Sequence, residues 1–202
     1  MRQDAASGPP PSPSTGSDEE LVAAILRGDR ALYADLVGRY QGRLVNFLNR
    51  LLRNAEDAHD LAQEVFLKVY QALDRFDPRY RFSTWIFRVA QNAAIDQIRR
   101  QRLRLVPMTR EGGDGEDREW DFPSADPNPY ADLRNRERGD AIAEAIAALP
   151  WEYRELILLR HYGELSYDEI ATLKKMPLGT VKNKLFRGRQ MLKEKLADFL
   201  TD

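Results

Sequence analysis

The chain contains no cysteine in its 202 residues. Disulfides, thiolate metal sites and a cysteine nucleophile are therefore excluded, and a reducing compartment is the expectation. No apolar run approaches the roughly 20 residues that a membrane-spanning helix needs. The N-terminus, MRQDAASGPPPSPSTG, has no apolar stretch of the kind that directs secretion. No segment alternates apolar and polar residues for long, and no stretch repeats itself. An excess of one charge is missing too: 31 Lys and Arg face 32 Asp and Glu, a formal net charge of −1. Hydrophobic residues make up 43% of the chain, enough for a packed core. The expectation is a soluble, intracellular helical protein. Any polyanion-binding charge in it must be local.

The charge is indeed uneven. From Gln97 to Arg110 there are five basic residues (Arg99, Arg100, Arg102, Arg104, Arg110) and no acid. From Glu111 to Asp126 there are seven acids against one Arg. From Lys174 to Lys195 there are eight basic residues and one acid, Glu194. Two basic patches around an acidic stretch suggest two polyanion-binding surfaces and a connector. Solvated helix faces are the plainer reading of either patch alone.

Residues 1–16 are rich in Pro, Ser, Gly and Ala and read as a disordered tail. Ser17 opens a capping box with Glu20, and a short helix follows to Gly28. Asp29 is placed to cap a second helix carrying Leu36, Leu44, Phe47, Leu48 and Leu51 at helical spacing. A third helix is expected from about Ala55 to Leu73. RFDPRYRFST reads as a loop in which Ser83 caps a fourth helix, from about Thr84 to Arg104. Residues 106–132, with Pro107, Gly112, Gly113, Gly115, Pro123, Pro127 and Pro129, read as a flexible acidic linker. Helical periodicity returns from Leu133 to Pro150, then in WEYRELILLRHY, then in two closing helices. The expected fold is all-α: two small helical domains, 17–105 and 133–202, joined by the linker.

The closing helices carry the most information. Ser166 and Glu169 form a second capping box, and Pro177 begins the last helix, where its missing N–H costs nothing. At about 100° per residue, Val181, Leu185, Gly188, Leu192, Leu196 and Phe199 fall on one side, and Thr180, Asn183, Lys184 and Arg187 on the other. A short capped helix, a turn and a helix with a polar outer face make a helix-turn-helix. Arg and Asn there can read guanine and adenine edges, and Lys can meet phosphate. A generic amphipathic helix with a wet basic face fits the same residues. The segment also resembles region 4 of bacterial sigma factors of the extracytoplasmic-function (ECF) group, through Leu165 to Ala171, Pro177, Gly179, Thr180, Val181, Lys182, Leu185 and Arg187. One departure is Lys175, at a turn position where that family usually has Gly. If the position requires a positive φ, Lys there costs about 1 kcal/mol.

DAHDLAQEVFLKVYQAL, Asp57 to Leu73, resembles sigma region 2.2. The resemblance implies docking on the clamp helices of the polymerase β′ subunit, with Asp60, Gln63, Glu64, Phe66 and Tyr70 as contacts. A metal site from Glu56, Asp57, His59, Asp60 and Glu64 is the enzymatic alternative, but their spacing matches no ligand motif. RFDPRYRFSTWIFRVAQNAAIDQIRRQR, Arg75 to Arg102, resembles regions 2.3 and 2.4. Here Phe76, Tyr80, Phe82 and Trp85 interleave with Arg75, Arg79, Arg81 and Arg88. Aromatics can stack on unpaired bases for about 1–3 kcal/mol each while Arg tracks the backbone. Core positions are the better reading for Phe82 and Phe87. For Trp85 the resemblance implies a melting role, and for Asn92, Asp96, Arg99 and Arg100 a −10 recognition face.

Together the resemblance spans about Asp18 to Arg104 and Leu133 to Leu200, with its motifs in the family's order. It implies a non-catalytic subunit without cofactors. Its partners are core RNA polymerase (β′ clamp helices and β subunit), promoter DNA in duplex and single-stranded form, and an anti-sigma factor. The −35 contacts it implies are Thr180, Lys182, Asn183, Lys184 and Arg187. Asp114, Glu116, Asp117, Glu119 and Asp121 either meet basic polymerase channels or belong to a solvated spacer. A stand-alone helix-turn-helix regulator is the rival reading.

Overall fold

A computed structural model describes residues 16–104, 139 and 141–197, and among these no strand occurs. The linker and tail expectations, and Phe199, lie outside the described residues. Helix α1, Asp18–Leu26, starts as its capping box dictates: Ser17 Oγ accepts from the Glu20 N–H at 3.2 Å, and the Glu20 carboxylate accepts from the Ser17 N–H at 2.8 Å. Its buried face is Leu21, Val22 and Ile25. Asp18 joins α1 to the next helix through Arg39, at 2.8 Å, and through the Tyr40 hydroxyl. Gly28, at φ 120°, turns the chain in a conformation that only glycine adopts freely.

Asp29 does not cap α2 as expected. It leads into a 3₁₀ turn, Arg30–Leu32, without a side-chain hydrogen bond, and α2 then runs Tyr33–Leu52. Leu44, Phe47 and Leu48 on α2 are fully buried, each contributing roughly 1.5–3 kcal/mol of transfer free energy. Arg53, left-handed at φ 59°, closes α2. Asn54 then caps α3, Ala55–Gln71, its side chain accepting from the Asp57 N–H at 3.1 Å. Ala58, Leu61, Ala62, Val65 and Val69 face the core from α3.

Helix α4 spans Phe82–Arg104. Ser83 is not its cap: it lies inside the first turn and is buried. The Phe82 N–H instead donates to the Glu19 carboxylate of α1 at 3.3 Å. A free helical N–H donates to whichever oxygen the tertiary fold delivers, and an acid also suits the helix dipole. Phe76, Phe82 and Phe87 are all buried. Phe82 meets Tyr40 edge-on at 5.3 Å, and Phe87 meets Phe47 at 5.2 Å.

A helical stretch over 141–147 (α5) precedes Pro150, which opens α6, Trp151–His161. Gly163 follows it. A Cβ there would lie 2.4 Å from the Leu159 carbonyl oxygen, so no other residue fits without moving backbone. Helix α7, Tyr167–Lys174, carries its full capping box, and Lys175 makes the turn into α8, Leu178–Lys195. Helices α6 and α8 cross closely at Gly188, where an added Cβ would come within 3.2 Å of Ile157.

The two halves pack on each other. Buried residues of α1–α4 and of α5–α8 form one continuous core, with α2 against α6 and α4 against α7.

Candidate nucleic-acid interface

On α3, Asp60, Gln63 and Glu64 are exposed and close together, as their spacing requires. Glu64 pairs with Lys68 one turn later at 3.5 Å. Tyr70 is partly exposed and its ring meets that of Tyr33 at 4.8 Å. Phe66 is only half-buried and packs on the core edge, while its carbonyl accepts the Tyr33 hydroxyl at 2.6 Å. Burial pushes the Tyr33 phenol far above its ordinary pKa, with a smaller contribution from Tyr70. A groove of about 680 Å³ runs between α2 and α3, lined by Tyr33, Val37, His59, Phe66, Leu67 and Tyr70. Leu67 was missed by sequence reasoning. It is 61% exposed among the acids, and its place off the Leu61, Val65 and Val69 stripe was the available signal. Among the described residues no three His, Asp or Glu side chains gather in a metal-holding group.

The second surface lies along α4 and the loop before it. Trp85, Arg88, Asn92, Asp96 and Arg99 follow one another at steps of three and four residues, within an arc of roughly 80° and a length of about 21 Å. Arg88, Asn92, Asp96, Arg99 and Arg100 are all exposed. Trp85 is half-buried, its ring 5.4 Å from Phe76 and 5.8 Å from Phe82. The buried phenylalanines thus set Trp85 in place and leave part of its surface to solvent. Phe76 is taken out of the stacking set by its own burial. Tyr80 is 51% exposed at the loop, flanked by exposed Arg75, Arg79 and Arg81. Arg79 is held by Asp77, with guanidinium contacts of 2.6–3.0 Å. Those hydrogen bonds lower the Asp77 carboxyl pKa and fix the guanidinium beside Tyr80.

The third surface is the outer face of α8. Val181, Leu185 and Gly188 are buried, and Leu192 packs on the same core. Lys182, Asn183 and Arg187 are exposed and Thr180 is half-buried. Lys184 departs from expectation. It sits at the border of the buried stripe, its ammonium paired with Glu152 of α6 and 5.9 Å from the Tyr153 ring centroid. A rotation of about 60° from the stripe centre, rather than 180°, puts it against the neighbouring helix. The central outward residues are Asn183, Phe186, Arg187 and Gln190, and Phe186 is 57% exposed. Its angle, opposite the Val181, Leu185 and Gly188 stripe, is the signal in the sequence that sets this apolar ring at the middle of a basic face. The turn feeding this helix is left-handed at Lys175, φ 52° and ψ 44°, so the departure from glycine is a real backbone strain.

The family profile of sigma-70 region 2 matches residues 36–104, and that of sigma-70 region 4 matches residues 139–192. The chain is 33% identical to the ECF RNA polymerase sigma factor SigW of Bacillus subtilis over 181 residues, covering 89% of this chain and 97% of that protein. It is 32% identical to the RNA polymerase sigma-H factor of Pseudomonas aeruginosa, covering 92% of this chain and 96% of that one. The fold is similar to that of the sigma factor RpoE of Bartonella quintana, solved with the anti-sigma factor NepR. The TM-score is 0.62 at 22% identity, over 82% of this chain and 96% of that one. With both sigma profiles in sequence order and relatives matched along nearly their whole length, the chain belongs to the extracytoplasmic-function group of the sigma-70 family of RNA polymerase sigma factors.

Proposed function

We propose that this chain is a promoter-specificity subunit that binds core RNA polymerase, recognises the −35 and −10 elements and promotes DNA melting. The observation that carries the reading is one chain bearing both a tryptophan-led polar stripe on α4 and an outward basic face on a helix-turn-helix. A stand-alone regulator would leave the α4 stripe and the exposed α3 face without a task. A sigma factor is an initiation factor and not an enzyme, and no cofactor is assigned.

Residues 17–105 form the proposed polymerase-binding and −10 domain, and residues 133–202 the −35 domain. Residues 106–132 are the connector and 1–16 a tail. On α3, Asp60, Gln63, Glu64, Leu67 and Tyr70 meet the β′ clamp helices, with Phe66 backing them. Arg75, Arg79, Tyr80, Arg81 and Arg88 follow the separated strand, and Trp85 wedges against the first unpaired base. Asn92, Asp96, Arg99 and Arg100 continue along the −10 element. Lys182, Asn183, Phe186 and Arg187, with Thr180 at the edge, enter the major groove of the −35 element. An aromatic ring there suits a thymine methyl.

Two weak DNA modules on one polymerase gain specificity through effective concentration. The second subunit-level partner is the β subunit, and an anti-sigma factor is the expected antagonist. The proposed location is the bacterial cytoplasm, where an anti-sigma factor can tether the protein at the membrane. No described helix is long and apolar enough to cross one itself. The test is Trp85→Ala, assayed for core binding and for permanganate reactivity of unpaired thymines. Retained binding with reduced reactivity supports the assignment. Full reactivity would remove Trp85 from melting.

A further inference from the structure

The two flanks of α8 differ in charge. Relative to the buried stripe of Val181, Leu185 and Gly188, Lys182 and Arg189 stand roughly 80° to one side and Lys184 roughly 60° to the other. On the first flank, Arg189 donates to the Tyr167 hydroxyl of α7 at 3.0 Å, and the Arg160 guanidinium lies 5.5 Å from the Tyr167 ring centroid. Arg160, Lys182 and Arg189 enter no ion pair among the described residues. On the second flank, the Lys184 ammonium is paired with the Glu152 carboxylate of α6 and lies 5.9 Å from the Tyr153 ring centroid. One flank offers free cations and the other a cation already matched by an acid.

Helix packing dictates that match. Helices α6 and α8 approach closely at Gly188, where an added Cβ would lie 3.4 Å from the Tyr153 Cβ. Lys184 sits one turn before Gly188, so its stem runs along α6 and its side chain is only 23% exposed. Glu152 stands in the first turn of α6 with its carboxylate at the surface. The nearest cation in sequence, Arg154, is engaged elsewhere: it donates to the carbonyls of Ala147 and Leu149. A recognition helix in the major groove turns its centre to base edges and its flanks to the phosphates on the two walls. An unpaired lysine on the α6 flank would meet one of those phosphates.

We infer that Glu152 is a positioning residue of the DNA-binding face: by holding Lys184 against α6 it withholds one phosphate contact from α8. This role rests on the reading of α8 as the −35 reader. Exposed ion pairs are individually weak, but here the ammonium also rests over the Tyr153 ring and its stem is packed, so release costs three contacts rather than one. Charge then reaches the DNA from the α7 flank and not from the α6 flank. Phosphate attraction is the same for every sequence. Glu152 therefore weakens binding to all DNA alike, and a larger share of what remains falls to the base-facing Asn183, Phe186 and Arg187.

The test uses the full-length chain loaded on core polymerase and two duplexes: a promoter found by mapping RNA 5′ ends, and a twin whose −35 element is scrambled. Binding is titrated at about 50 and about 200 mM salt. Glu152→Gln should steepen the salt dependence by about one phosphate contact, a slope change of about 0.9. Its affinity for both duplexes should rise roughly tenfold at the lower salt and roughly threefold at the higher. Glu152→Asp keeps the charge and should stay nearer wild type. Glu152→Gln combined with Lys184→Ala should bind like Lys184→Ala alone, because the gain passes through the lysine. Glu152 is exposed, so these substitutions should leave the fold intact. A Glu152→Gln protein with the wild-type slope and affinity would overturn the inference. So would an equal gain in the Lys184→Ala background, which would make Glu152 a general negative charge near DNA rather than a restraint on Lys184. A wild-type complex that binds the promoter and its scrambled twin equally well would instead sink the reading of α8 as the −35 reader, because that comparison involves no Glu152 variant.

Discussion

Replacing Lys175 by glycine should make the protein more stable. Lys175 closes α7 at φ 52° and ψ 44°, and its N–H donates to the Thr172 carbonyl at 3.3 Å. An L-residue with a Cβ pays about 1–2 kcal/mol for this conformation. Glycine removes that strain but brings back part of it as extra freedom in the unfolded chain, about 0.5–1 kcal/mol. The net gain is about 0.5–1 kcal/mol. That raises Tm by roughly 1–4 °C if the two halves melt as one body, and by roughly twice as much if α5–α8 melt alone. Lys175→Ala is the control: it loses the same exposed charge from the helix end but keeps the strain, so it should lie within about 0.5 kcal/mol of wild type. Thermal unfolding followed by far-UV circular dichroism measures all three proteins. A Lys175→Gly variant no more stable than Lys175→Ala would refute the reasoning.

Leu67→Ala on the exposed face of α3 should change stability by under about 0.5 kcal/mol yet weaken core polymerase binding by more than about 1 kcal/mol, read by titration with labelled protein. Wild-type affinity would remove Leu67 from the interface. On α8, Arg187→Ala should cost about 1–3 kcal/mol on the preferred −35 duplex and relax preference at one base pair. Lys184→Ala should leave the salt slope of DNA binding unchanged, because its ammonium is engaged with Glu152; a slope reduced by about one unit would place Lys184 on a phosphate instead. Burial works to raise the Glu169 pKa, but hydrogen bonds from Ser166 and Thr84 outweigh it and the net shift is downward. Its contribution to stability is therefore complete above the ordinary carboxylate range and is lost as pH falls through the lowered value. Glu169→Gln should flatten that acid limb in unfolding measured against pH, and an unchanged limb would contradict the assignment.

Local chemistry was the legible part of the sequence. Both capping boxes, Ser17 with Glu20 and Ser166 with Glu169, mark helix starts within a few residues, and the structure carries both. Phe82 and Phe87 read as core and are buried. The strained turn at Lys175 was foreseen from the family's glycine. What failed to show depends on distant partners. Ser83 looked like a cap because nothing nearby announces that Glu19, 63 residues before Phe82, supplies the oxygen. Lys184 lies only about 60° from the buried stripe, an angle the sequence already carries, but its partner Glu152 is 32 residues away on another helix. Arg43 carries no motif at all, since its hydrogen bonds to the Tyr162 and Gly163 carbonyls exist only once α6 ends beside α2. For the candidate site, the family resemblance pointed to the residues along α4 and helical periodicity to the outward face of α8, and the structure leaves Arg88, Asn92, Asp96, Arg99, Asn183 and Arg187 exposed. Leu67 and Phe186 carry no motif, and only their angles off the apolar stripes of α3 and α8 mark them as exposed.

The account stands most directly on transcription from a defined system. Genomic DNA is transcribed with purified core polymerase, with and without this chain, and RNA 5′ ends are mapped by sequencing. The prediction is a set of discrete start sites that require both components and share paired −35 and −10 sequences. Start sites identical to those of core polymerase alone, or DNA occupancy by this chain with no initiation, would contradict it.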